Sequence, residues 1–172
     1  MSAPIPVGEN DHKQGPAHAA LVLVEYGDYE CPHCGAAYPI IKKLQQHFGE
    51  KMLFVFRNFP LAEMHPHALA AAYVAEASEL QQKFWPLHDL IFEHQEHLSD
   101  HHLLNYANTA GVDLKKLGID IRSAPIVDKV EKDMIGGARS GVNGTPTFFI
   151  NGKRHDGYYE YEALKEALEK AL

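Results

Sequence analysis

Cys31 and Cys34 are the only cysteines in the 172-residue chain, and only Pro32 and His33 separate them. A pair at this spacing can close into a disulfide and reopen, so its natural chemistry is thiol–disulfide exchange. Exchange needs one sulfur that attacks as a thiolate and a second that resolves the mixed disulfide. Cys31 is the expected nucleophile because a helical pattern begins just after it. Free N–H groups and the helix dipole favour negative charge there and lower a thiol below its free value of about 8.5. His33, when protonated, adds a cation beside the sulfur, and Pro32 holds the turn without offering an N–H. Cys34 lies one turn further on and is expected to be more buried. It must lose a proton to attack, and Glu25 is the candidate base. Burial of that carboxyl would raise its pKa toward neutrality, which suits proton transfer. The competing readings are a pair of inert buried thiols and half of a zinc site, for which no second CxxC exists.

The flanking elements must deliver this pair. Leu21-Val-Leu-Val-Glu-Tyr26 is a mostly apolar run, as in a strand covered on both faces, and Glu25 interrupts it. A helix is predicted from about 32 to 48, kinked by Pro39, and Lys51 to Phe59 reads as a second strand. A helix between two strands makes them a parallel βαβ unit. Residues 62–136 read as an all-helical insertion, with Leu114 and Leu117 marking only a short turn. Thr147 to Ile150 is a strand, Asn151-Gly152 a two-residue hairpin turn, and Lys153 to Asp156 its antiparallel partner. Tyr161 to Leu172 is an amphipathic helix. Residues 1–19 read as an extended arm. The expected architecture is α/β: one mixed four-stranded sheet, β-α-β then β-β-α, built from residues 20–61 and 137–172.

A formal charge of −7 without a basic stripe argues against nucleic acid as a partner, and no apolar run approaches a membrane span. The first residues have neither a basic nor an apolar region of a signal peptide, which reads as cytoplasmic. The alternative is a periplasmic or otherwise exported mature chain carrying an added Met. No cofactor is expected. His88, His94, His97, His101 and His102 cluster in the insertion and read as a solvated helical surface, while Phe84, Trp85 and Phe92 read as its core.

The sequence resembles the DsbA-like branch of the thioredoxin superfamily. Cys31-Pro32-His33-Cys34, Glu25 six residues before it, Pro39 five residues after it, and Gly144-Thr145-Pro146-Thr147 before the late hairpin carry the likeness. The resemblance implies a thioredoxin-like fold with an inserted helical domain and a protein thiol–disulfide oxidoreductase. It further implies a cis Pro146 lying against the cysteines, and a Thr145 backbone that pairs with an extended client segment. The expected partners are protein thiol or disulfide clients and a redox partner, either the thiol pool or a recycling protein. Tyr29 and Tyr38 would border a client groove. A disulfide isomerase or reductase with the same site is one alternative, fed by the Thr that precedes Pro146. A histidine-rich metal-binding module on the same scaffold is another.

Overall fold

The computed structural model describes residues 4–172. Its centre is a mixed sheet of strand order β1-β3-β2-β4-β5. Strand β2 (Leu21–Gly27) runs parallel to β3 (Met52–Asn58), with helix α1 (Pro32–Phe48) between them. Strand β4 (Thr147–Ile150) adds antiparallel to the other side of β2, and β5 (Lys153–His155) pairs with β4. The hairpin turn falls on Asn151 and Gly152, both at positive φ, +49° and +82°, the requirement of a type I′ turn.

The sheet has five strands where four were expected. The fifth, β1 (His12–Gln14), belongs to the arm and pairs antiparallel with β3, His12 opposite Phe56. Its three residues, His-Lys-Gln, carry no strand signal of their own. Long-range contacts hold them: His12 stacks on Phe84 at 3.5 Å and reaches Glu76 at 2.8 Å. Arg57 binds Asp11 with two nitrogens, at 2.9 and 3.0 Å.

Between β3 and β4 lie α2 (Ala68–Ser78), α3 (Phe84–Glu93), α4 (Asp100–Thr109), α5 (Leu114–Asp120) and α6 (Ala124–Arg139). The segment around Leu114 and Leu117 is a full helix rather than a turn. Asp113 starts it, its carboxylate accepting from the amides of Lys115 and Lys116. The last helix is α7 (Tyr161–Ala171).

Alternation along β2 divides the core. Val24 and Tyr26 join Leu53, Val55 and Phe149 on one face. Leu21 and Leu23 point to the other face, into the larger core with Ile41, Leu44, Phe54, Phe56 and Leu168. Glu25 shares the parity of Leu21 and Leu23, so the pleat sends its carboxyl under α1. Cys34, Ala37, Ile41, Leu44 and Phe48 form the buried stripe of α1 at alternating spacings of three and four. The same stripe that packs the helix therefore buries the second cysteine.

Candidate active site

Cys31 is the N-cap of α1 and Pro32 its first residue. Both cysteines are free thiols. Cys31 is 4% exposed and Cys34 fully buried. The Thr145–Pro146 peptide is cis, and the Thr145 carbonyl lies 3.5 Å from Cys31 Sγ, which donates to it as a thiol. Chain folding thus brings residues 114 positions apart together on one sulfur.

The two sulfurs differ in proton affinity. Cys31 is held down, at about 5. A hydrogen bond from the Cys34 thiol is the main reason, and burial opposes it. The Thr145 side chain and the amides of His33 and Cys34 add to the lowering. Thr145 Oγ1 is buried without a partner. Its hydroxyl is free to donate once Cys31 ionises and no longer donates to the carbonyl. Burial pushes Cys34 well above the ordinary thiol value, reinforced by its bond to Cys31 and the charge of Glu25. The Asp28 amide, 3.5 Å from Cys34 Sγ, works weakly the other way.

Glu25 is 3% exposed beneath this pair. Burial first, and the negative charge of Cys31 second, raise its carboxyl to about 8. His33 sits on the exposed side of α1, its Nδ1 2.9 Å from the Tyr159 hydroxyl.

Several residues around the site were not singled out by their types. Asp28 is a buried hub whose carboxylate accepts from the amides of Glu30 and Leu61 and meets His65 Nδ1, each at 2.8 Å. It ties the turn before Cys31 to the loop after β3. Gln95 Nε2 donates to the carbonyls of Tyr29 and Cys31, both at 2.8 Å, fastening the helix start to the end of α3. An Asp two residues before a Glu in a turn is the one available signal for Asp28; Gln95 carries none. Tyr29 does not border a groove. It is 1% exposed, packed on Phe56 and Phe92. Tyr38 is half-buried and donates to Glu93.

His88 does not belong to a solvated surface either. It is buried among Phe56, Trp85 and Phe92. His94 bonds its own helix end at the Leu90 carbonyl, and His101 and His102 share Ser99. Among the described residues no group of three His, Cys, Asp or Glu side chains is arranged to hold a metal. None of the described helices is long and apolar enough to cross a membrane.

A family model described as Thioredoxin matches residues 8–170. The chain belongs to the thioredoxin family. Among solved structures, BdbD from Bacillus subtilis superposes with a TM-score of 0.87 at 25% identity, covering 98% of this chain and 96% of that one. A thioredoxin-like oxidoreductase from Silicibacter pomeroyi gives 0.86 at 24% identity, covering 95% and 93%. A thiol-disulfide exchange protein from Wolbachia pipientis gives 0.83 at 23% identity, covering 93% of this chain and 86% of that one. The curated relatives carry another name. The Na(+)/H(+) antiporter NhaA 1 of Salinispora arenicola is 41% identical over 164 residues, 95% of this chain and 25% of the antiporter. The chain thus spans about a quarter of the length of that relative.

Proposed function

We propose that this thioredoxin-family chain is a protein thiol–disulfide oxidoreductase that works through a mixed disulfide on Cys31. The observation that carries the reading is the inequality of the two sulfurs: Cys31 lowered to about 5 at a helix start, Cys34 raised and buried directly behind it.

In the oxidising direction a client thiolate attacks Cys31 Sγ and the Cys31–Cys34 bond breaks. Cys34 leaves as a thiolate and takes a proton from Glu25. A second client thiolate then attacks the client sulfur of the mixed disulfide. A client disulfide forms, Cys31 departs as a thiolate, and the protein has gained two electrons. In the reducing direction Cys31 attacks a client disulfide. Glu25 takes the Cys34 proton and Cys34 displaces the client from Cys31. His33 and Pro32 shape the helix start, and Thr145 with Pro146 lines the side from which a client strand arrives.

Stabilising the Cys31 thiolate stabilises the reduced protein, which makes its disulfide an oxidant. This favours the oxidising direction over an isomerase or reductase. A cytosolic thiol pool would hold such a pair reduced and idle, so the reading fits an oxidising compartment with a recycling partner better than the cytoplasm.

The test is a disulfide-bearing peptide mixed with the reduced protein and followed by mass spectrometry. Cys34→Ser is expected to accumulate a one-to-one adduct on Cys31, and Cys31→Ser to form none. Full exchange by Cys31→Ser overturns the mechanism.

A further inference from the structure

We infer that His88 is a positioning residue for Glu25, acting through one buried water held between the Glu25 carboxyl and His88 Nε2. The inference rests on the exchange reaction proposed above, in which Glu25 moves the Cys34 proton.

Glu25 and His88 line a common small cavity, with Tyr38, Lys42, Phe54 and Phe92 among its walls. About 10 Å³ of it is open to a water's centre. One probe sphere needs a volume of that order, so the cavity takes a single water. Two polar groups there lack protein partners. His88 Nδ1 lies 3.0 Å from Asp89 Oδ1. Burial raises Asp89, but His88 and Lys42 outweigh it and keep the carboxylate ionised. An ionised carboxylate only accepts, so Nδ1 carries the proton and Nε2 presents a lone pair. That Nε2 is buried without a partner, and burial penalises a lone pair left unmet. No hydrogen-bond donor contributes to the state of Glu25, whose shift comes from burial and the charge of Cys31.

One water meets both needs. It donates one hydrogen to Nε2 and the other to the ionised Glu25. When Glu25 takes the Cys34 proton, its O–H donates to the water, and the bond to Nε2 persists. The imidazole itself stays neutral because burial lowers it to about 4. Edge-on contacts from Tyr29, Phe56 and Phe92 fix the ring plane and so the direction of the lone pair. The titratable and charged groups around the bridge are Tyr29 and Cys31 before α1, Cys34, Tyr38 and Lys42 of α1, Asp89 of α3, and His12 of β1, whose charge reaches His88. The ionised carboxylate needs the water's dipole more than the neutral acid does. Losing the anchor at Nε2 therefore raises Glu25 further.

The experiment reads the Glu25 carboxyl by ¹³C NMR in reduced, ¹³C-glutamate-labelled protein, its signal assigned by loss in Glu25→Gln. His88→Phe, which keeps the aromatic packing, is expected to raise the Glu25 midpoint by roughly half a unit or more. His88→Gln, which retains an acceptor, is expected to stay near the wild-type midpoint. An unmoved midpoint in His88→Phe overturns the inference. Water–protein cross-relaxation on the unaltered protein gives a second readout that no folding defect can mask. A long-lived water beside His88 is expected, and its absence overturns the inference. Both readouts use the resting protein without a client, so they stand or fall separately from the exchange assay.

Discussion

Glu25→Gln should stabilise the protein while disabling it. The carboxyl is raised from 4.5 to about 8 when folded, so the native state holds a proton that the unfolded chain releases. Stability then falls as pH rises between those two values. Each pH step in that window costs about 1.4 kcal/mol, so by pH 7 the penalty is about 3 kcal/mol. Gln keeps the shape of the protonated acid and cannot ionise. The variant should gain that amount at pH 7, or roughly 6–12 °C in Tm for a chain of this size. The gain should shrink toward zero at pH 4.5. Denaturant unfolding of the reduced proteins at both pH values measures it. In the exchange assay the same variant should resolve mixed disulfides roughly a hundredfold more slowly, having lost its base. A gain of equal size at both pH values would refute the buried, raised carboxyl and with it the proton route for Cys34.

Other expectations follow from the same structure. Thr145→Val removes the hydroxyl that favours the ionised sulfur, and the loss of a hydrogen bond to a charged acceptor should raise Cys31 by about one to two pKa units, read from thiolate absorbance. His12→Ala deletes the stack on Phe84 and leaves the buried Glu76 without its ion-pair partner, held only by Asn58; it should cost roughly 2–4 kcal/mol and speed amide exchange in β1. Burial lowers His12, but Glu76 and Glu79 outweigh it and raise the group. Its contribution is therefore full below its ordinary value of 6.5 and lost as pH climbs through the raised folded value. His12→Phe, which keeps the stack, should flatten that part of the stability–pH curve.

Much of this was legible in the chain because the signals are local. Apolar runs mark β2 and β3. Asn151-Gly152 marks the hairpin, and the CxxC marks the beginning of α1. What escaped depends on partners distant in sequence. Strand β1 exists because β3 offers an open edge and Glu76 and Phe84 receive His12. His88 lies within a stretch rich in histidines, and only the packing of α3 against Phe56 separates it from the surface ones. Gln95 acts through backbone carbonyls, whose positions no residue type discloses.

The central claim is that Cys31 is a thiolate at neutral pH while Cys34 waits as a buried thiol. Alkylation of the reduced wild-type protein across pH, with the labelled cysteine identified by mass spectrometry, tests it directly. The account predicts rapid labelling confined to Cys31, with a midpoint near 5. Labelling of Cys34 first, or a Cys31 midpoint near the free-thiol value of about 8.5, would contradict it.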